Sequence, residues 1–289
     1  MQETFENIVF EIGELYRNRL GWYKALEING DNIRVQYECN GIVTTLSIEA
    51  QKRILSNIRR EEKATGPIVL NRETFFSYAD ECNKSYRFGH DLELYREIIS
   101  KHRNSDGLDS LLNEDSFYTL IMKTLEAWNM NQRGAQLTTL DNLKGSIRAH
   151  RLGLLNLYQY KLPSITAQQI KEEIMGLLQN IFGGLQVMES KRRIVGVSKA
   201  LHFLLPDLVM PIDGSYTLPY FYGYNKNANT TEGEFNMFAD IFMETYEITK
   251  KLNLTQEDVD SQDWNTSIPK LIDDAIIGLF CVIRRKLGI

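Results

Sequence analysis

KRRIVGVSKALHFLLPDLVMPIDGSYTLPYFYGY, residues Lys191–Tyr224, is the stretch of this 289-residue chain that says most about its fold and function. It begins with three consecutive cations and continues into an apolar, glycine-containing segment, Ile194–Ser198, which we interpret as a tight turn. A helix over Lys199–Leu205 follows. After a proline break comes a short segment, Pro211–Ser215, that carries Asp213. The pattern predicts a turn, a helix and a loop that presents one carboxylate.

Beyond residue 67 the chain has apolar residues at helical spacing almost throughout. The candidate helices are Arg72–Ala79, Leu92–His102, Ser116–Trp128, Leu140–Leu155, Ala167–Ile181, Lys191–Leu205, Glu234–Leu252 and Ile268–Lys286. Within the sixth of these, the glycine turn moves the expected start of the helix to about Lys199. This part of the chain is therefore expected to be a helical body.

The residues before 67 show a different pattern. Thr4–Leu20 has helical spacing, whereas the residues after it mostly alternate and contain Asn29-Gly30 and Asn40-Gly41. Asn-Gly pairs favour the tight turns of hairpins, so the pattern predicts a three-stranded antiparallel meander. A charged helix over Gln51–Lys63 follows. We expect two domains: a small N-terminal α+β domain, residues 1–66, and a mainly α domain, residues 67–289.

Composition and missing motifs exclude several classes of protein. The chain is 43% hydrophobic and 25% charged, which is typical of a globular protein, and its net charge of −5 leaves only local patches for binding phosphate. Its three cysteines are far apart and form no C-x-x-C pair, and no two of its four histidines have the spacing of a helical metal pair. Dinucleotide-binding, P-loop and nucleophile-elbow motifs are absent. We expect a cytoplasmic protein without metal, cofactor or membrane contact.

Two segments resemble the helix-hairpin-helix DNA glycosylases, the superfamily of endonuclease III and of the adenine-mismatch and 8-oxoguanine glycosylases. Ile194–Ala200, IVGVSKA, resembles the hairpin L-P-G-V-G-x-x-T-A of that superfamily, and Pro211–Ser215, PIDGS, resembles its aspartate element. The chain departs from the pattern at Ser198, which replaces a glycine, and at Lys199, which lies one residue before the lyase lysine position. The resemblance implies a glycosylase-like helical body that binds DNA.

The resemblance also implies roles for individual residues. Asp213 would stabilise the positive charge that develops on the sugar during base excision, and Lys199 would be the nucleophile of any lyase step. The residues assigned to DNA binding are Gly196, Val197, Ser198, Lys191, Arg192 and Arg193. The residues assigned to the pocket for a flipped base are Trp128, Asn131, Arg133, Tyr216 and Tyr220.

We therefore expect a monomeric DNA glycosylase that excises a damaged, mispaired or modified base, including hypermodified phage bases, and leaves an abasic site. Two alternatives stay open, a non-catalytic nucleic-acid-binding module and a helical scaffold for protein interactions. Each residue also has a structural interpretation. Asp213 can cap a helix, Lys199 can be a solvated helix residue, and His202 is expected to be a hydrogen-bonded interior histidine.

Overall fold

The structure is a computed structural model that describes residues 8–18, 21–37, 41–55, 71–86, 89–132, 134–223, 228–259 and 263–287. The chain divides into two compact units. The first, the sheet unit, comprises Met1–Pro67, Gly214–Lys226 and Ile283–Ile289. The second, the helical unit, comprises Ile68–Asp213 and Asn227–Val282. The domain division after residue 66 stays a prediction.

The sheet unit contains a four-stranded antiparallel sheet in the order β1-β2-β3-β4. Its strands are β1 Leu15–Asn18, β2 Gly21–Asn29, β3 Asn32–Tyr37 and β4 Val43–Ser47. Asn29 pairs with Asn32 across the β2–β3 turn, where Gly30 has φ +55°. This is the left-handed backbone that an Asn-Gly turn accommodates. The buried residues of β3 alternate with exposed ones, so one face of the sheet covers a small core.

The sequence predictions for the N-terminal region are partly wrong. The predicted meander has one strand more than the expected three, because the end of the predicted helix Thr4–Leu20 is β1. The apolar positions that suggested the helix do not share one buried face, since Ile8 is buried whereas Val9 is 72% exposed and Ile12 64%. Gly13, at φ +94°, adopts a backbone conformation that an α-helix does not contain. Residues 48–55 are helical, and the rest of the predicted helix Gln51–Lys63 lies outside the described residues.

The prediction of a mainly helical protein is confirmed. The helices are α1 Arg72–Ser85, α2 His90–Asn104, α3 Leu108–Leu111, α4 Asp115–Ala127, α5 Leu140–Ala149, α6 Arg151–Tyr158, α7 (Ala167–Gln169, a π turn Ile170–Ile174 and Met175–Gly184), α8 Ile194–Leu204, α9 Thr217–Tyr222, α10 Thr231–Lys251 and α11 Ile268–Leu287. Short 3₁₀ turns cover Leu162–Ser164 and Gln256–Asp258. No helix in the described part of the chain is long and apolar enough to cross a membrane.

Helix α8 lies in the core of the helical unit. Ten of its eleven residues, all except Val195, are buried. Gly196 leaves room for Met188, whose Sδ lies 2.3 Å from where a Cβ would stand. Any polar side chain on α8 must therefore find its partners inside the protein, because water cannot supply them.

Candidate active site

The loop that carries Asp213 is attached to α8 by three side chains. The Ser198 hydroxyl accepts a hydrogen bond from the backbone N–H of Ile212 at 3.0 Å. One helical turn further on, His202 Nδ1 lies 2.7 Å from the carbonyl oxygen of Val209. Between them, Lys199 Nζ lies 3.5 Å from Asp213 Oδ2. The helix and the returning loop are therefore fixed against each other at the position where the lysine meets the aspartate.

His202 is the interior histidine that the sequence predicts. Burial lowers its pKa to about 3, so the ring is neutral at neutral pH. A neutral ring that donates from Nδ1 to Val209 must accept at Nε2, where the Tyr95 hydroxyl lies 2.9 Å away. The Tyr95 hydroxyl also lies 2.6 Å from Thr266 Oγ1, which completes the chain. The histidine is thus a fully bonded structural group that holds the loop.

Lys199 and Asp213 differ in their access to solvent. The side chain of Lys199 is 6% exposed and that of Asp213 is 28% exposed. Lys199 Nζ also donates to the carbonyl oxygen of Trp128 at 3.3 Å and lies 5.5 Å from the centre of its ring. The interpretation of Lys199 as a solvated helix residue is wrong. Asp213 does not cap the next helix either, since Tyr216 occupies that N-cap position.

Trp128 is placed beside Lys199 by the way in which α4 ends. The N–H of Asn129 bonds to the carbonyl of Glu126, and the N–H of Met130 bonds to that of Leu125. Asn129 adopts the left-handed backbone at φ +61°, which makes this ending a Schellman motif. Trp128 Nε1 is buried and has no hydrogen-bond partner among the described residues. This ending of α4 brings Trp128 to the lysine.

The turn predicted at Ile194–Ser198 is wrong, because α8 begins at Ile194. The N–H of Val197 bonds to Arg193 within the helix. At the helix start, the buried carboxylate of Glu234 accepts from the N–H groups of Arg193 and Ile194 at 2.9 and 3.4 Å. A phosphate would have to displace this carboxylate to bind there, so the structure offers no exposed N–H cradle at these residues.

The predicted DNA-binding cations have different environments. Arg193 donates through one guanidinium nitrogen to three carbonyl oxygens at the end of α7, the nearest being Leu185 at 2.5 Å. It therefore caps a helix. Lys191 is exposed and Arg192 is half-buried. Gly196, Val197 and Ser198 are buried in α8, where only the Ser198 hydroxyl reaches the Asp213 loop.

The residues assigned to the base pocket are divided between the two units. Asn131 is exposed, and its Oδ1 accepts from the N–H of Leu137 at 3.4 Å. Arg133 lies outside the described residues. Tyr216 and Tyr220 belong to the sheet unit, where the Tyr216 hydroxyl accepts from Arg284 at 3.0 Å. Trp128 lies in the helical unit and accepts a hydrogen bond from Lys199 through its carbonyl oxygen.

Sequence reasoning missed a buried ion cluster on α11, formed by Lys270, Asp273 and Asp274 and called here the α11 ion cluster. Lys270 Nζ lies 2.9 Å from Asp273 Oδ2 and also bonds to Asp274 Oδ1. Burial raises the pKa of Asp274 to about 7. Burial lowers the pKa of Lys270, but its two carboxylate partners more than compensate and hold it well above the ordinary value. The signal was the spacing of three charges at i, i+3 and i+4 in an otherwise apolar helix.

The chemistry available at this site is that of one amine and one carboxylate beside an indole ring. Among the described residues, no three His, Cys, Asp or Glu side chains are grouped so that they could hold a metal ion. Comparison with protein-family models, curated proteins and solved structures finds no match to this chain.

Proposed function

We propose that the protein is a DNA glycosylase with Asp213 as its catalytic carboxylate and Lys199 as an amine able to attack the same sugar. The observation that carries the proposal is the meeting of these two residues. They are fourteen positions apart in sequence, yet Nζ and Oδ2 are 3.5 Å apart, with the lysine buried and the carboxylate partly exposed. Buried lysines are uncommon, and one paired to a carboxylate at a partly open position is a candidate for chemistry.

Each residue has a defined task in the reaction. Cleavage of an N-glycosidic bond leaves positive charge on the sugar, and a carboxylate beside the anomeric carbon stabilises that charge. The departing base takes the bonding electron pair and a proton from solvent, while a water molecule that gives its proton to the Asp213 carboxylate adds to the anomeric carbon and leaves an abasic site. In the alternative route, the Lys199 ammonium first loses a proton to solvent, and its neutral amine then attacks the anomeric carbon, so that an N–C bond forms in place of the glycosidic bond. Ring opening then yields an imine, from which strand cleavage can follow.

The glycosylase-like arrangement of the helical body and a DNA substrate are part of this proposal. DNA contact would draw on side chains such as Lys191, because the backbone N–H groups at the start of α8 are already bonded. A contact of this type depends strongly on salt.

The test incubates the protein with duplexes that carry oxidised, alkylated, deaminated, mispaired or glucosylated bases, and detects released base by mass spectrometry. Borohydride added in parallel, between about pH 6 and about pH 10, reduces any imine and fixes the protein to the DNA. We expect Asp213→Asn to lower base release by about 10²–10³-fold. Lys199→Gln should abolish borohydride trapping.

Lys161→Gln is the matched control. Lys161 Nζ lies 3.4 Å from Asp207 Oδ2, nearly the distance of the Lys199 pair, but the side chain is 58% exposed. This variant should keep both activities. If folded wild-type protein releases no base from any duplex, the glycosylase proposal is wrong. Salt-dependent DNA binding would then indicate the non-catalytic module, and no DNA binding would indicate the scaffold.

A further inference from the structure

A cavity of about 340 Å³ lies in the helical unit, and the reaction proposed above makes no use of it. Its lining comes mainly from the end of α2, the end of α6 and the residues after it, the segment after α8, and the residues before α11. Lys199 and Asp213 are not among the lining residues. Volumes above about 300 Å³ are typical of pockets that bind small molecules. The cavity is therefore a candidate for a second site, separate from the candidate active site.

Part of the lining is apolar and buried. Leu157, Leu205 and Leu208 belong to it, and each is at most 1% exposed. The rings of His102 and Tyr158, which also line the cavity, stack with their centres 5.7 Å apart and 25° between their planes. Apolar side chains and aromatic rings in a pocket favour a ligand with a flat and largely apolar body.

Two phenols at the cavity, those of Tyr158 and Tyr160, already donate to other partners. His102 Nε2 lies 2.8 Å from the carbonyl oxygen of Phe203, which can only accept, so the ring donates from Nε2. Burial lowers the pKa of His102, so the ring is neutral and Nδ1 accepts from the Tyr158 hydroxyl at 3.2 Å. The Tyr160 hydroxyl donates to the carboxylate of Glu173. Each phenol oxygen can therefore only accept from a ligand, which must supply N–H or O–H groups.

The charged side chains at the cavity leave one positive charge in excess. Lys161 Nζ lies 3.4 Å from Asp207 Oδ2, and both residues line the cavity. Arg103 lines it too, and its guanidinium makes one hydrogen bond among the described residues, to the carbonyl oxygen of Thr266 at 3.5 Å. A guanidinium without a carboxylate partner can bind a phosphate or carboxylate group through two parallel hydrogen bonds. The cavity therefore favours a ligand with an anionic group.

We propose that this cavity binds a nucleoside monophosphate, with the base against the apolar and aromatic lining and the phosphate on Arg103. The base is a flat ring whose N–H groups suit the two phenol oxygens, and the phosphate neutralises the excess charge. A simple aromatic carboxylate would leave the phenol oxygens without donors. An aromatic amino acid has donors and a carboxylate, but its net charge is zero. Inorganic phosphate matches the charge alone.

The test is isothermal titration calorimetry of the full chain with adenosine monophosphate (AMP). Adenosine, inorganic phosphate, benzoate and tryptophan are the comparison ligands, each of which lacks one of the matched features. We expect AMP to bind with a Kd below about 1 mM, and each comparison ligand to bind at least about tenfold more weakly.

Two substitutions remove the groups that the proposal places on the ligand. Arg103→Gln should weaken AMP binding by about 10–100-fold, because it removes charge-assisted hydrogen bonds to the phosphate. Arg103 is exposed, so this variant should fold, which circular dichroism checks. Tyr160→Phe keeps the ring and removes one acceptor, so it should weaken AMP binding by about 2–10-fold and leave phosphate binding unchanged.

Arg148→Gln is the matched control. Arg148 belongs to the same unit, its side chain is 47% exposed, and it does not line the cavity. This substitution removes the same charge as Arg103→Gln and should leave AMP binding unchanged. Asp213→Asn should leave it unchanged as well, because Asp213 does not line the cavity.

The other outcomes overturn the proposal. Folded wild-type protein that binds no AMP at millimolar concentration would have no such site. Equal weakening in Arg103→Gln and Arg148→Gln would indicate a general effect of charge, and a changed affinity in Asp213→Asn would place AMP at the candidate active site. A comparison ligand that binds as tightly as AMP would contradict the assignment of a nucleotide. Base release is a separate measurement, so its failure would overturn the glycosylase and leave this site standing.

Discussion

Ser198→Ala tests whether α8 positions the loop that carries Asp213. The hydroxyl donates to the carbonyl of Val195 at 3.0 Å and accepts from the N–H of Ile212 at 3.0 Å. Both Ser198 and Ile212 are completely buried, so the substitution leaves one backbone N–H without a partner or water. An unsatisfied buried donor costs about 1–3 kcal/mol, and we expect the free energy of unfolding to fall by that amount.

The chain supplies a control with the same chemistry. Ser146 donates to the carbonyl of Leu143, again three residues earlier, and accepts from the N–H of Gln186 at 3.0 Å. Ser146→Ala should therefore lower stability by a similar amount in urea unfolding followed by circular dichroism. The Ser146 hydroxyl bonds to neither α8 nor the Asp213 loop, so base release should stay at the wild-type level.

The two variants should differ in activity. Asp213 directly follows Ile212, and a displacement of about 1 Å at a reacting group can cost about 10²-fold in rate. We expect Ser198→Ala to lower base release by one to two orders of magnitude at a temperature where both variants are folded. If it is as active as Ser146→Ala while equally destabilised, the hydroxyl only stabilises the fold and the positioning argument fails.

Two further predictions concern stability. Gly278→Ala should destabilise the helical unit by about 1–3 kcal/mol or more in urea unfolding, because a Cβ would stand 1.8 Å from the carbonyl oxygen of Tyr78, a backbone atom that cannot turn aside. Gly145→Ala is the control, because Gly145 is an exposed helical residue with open space around it; this substitution should raise the unfolding free energy by up to about 1 kcal/mol. If the two substitutions had equal effects, the close packing of Gly278 against Tyr78 would be contradicted. The pKa of Asp274 is about 7 in the folded state, which is above its unfolded value. Between about pH 4 and about pH 7 the folded state therefore holds a proton that the unfolded state has lost. The free energy of unfolding should fall across this range as the pH rises, by up to ~4 kcal/mol. In Asp274→Asn, the difference in unfolding free energy between about pH 5 and about pH 7, measured by urea unfolding, should be smaller than in the wild type. An unchanged difference would show that another group binds the proton.

Local patterns predicted the helical elements and the residues that meet at the candidate site. Helical spacing over Leu92–His102 and Ser116–Trp128 was sufficient because those apolar stripes face the core. The motif resemblance assigned both Lys199 and Asp213 to the site, although the predicted turn before Lys199 is helix and the ion pair between them was not predicted. A glycine among apolar residues fits a turn and a closely packed helix equally well, and the sequence does not show that Gly196 packs against Met188 inside a helix.

The failures share a physical cause, which is that tertiary contacts outweigh local preference. The spacing of Val9 and Ile12 suggested a buried helix face, but both side chains are exposed and the same segment ends in strand β1. The role of Arg193 as a helix cap depends on α7, which ends several residues before it. The cluster around Lys270 was visible as charges in an apolar helix, but its proximity to Trp128 depends on how α4 and α11 pack.

The burial of α8 restricts how this protein can acquire new specificities. Lys199 belongs to a helix whose neighbouring residues form the interior, so substitutions near the amine will often compromise folding before they alter substrate choice. In the loop after Trp128, Asn129 adopts the left-handed backbone that ends α4 and Met130 is buried, whereas the side chain of Asn131 is exposed. Libraries that seek activity on other substrates should therefore diversify Asn131 and leave α8 and Asn129 intact.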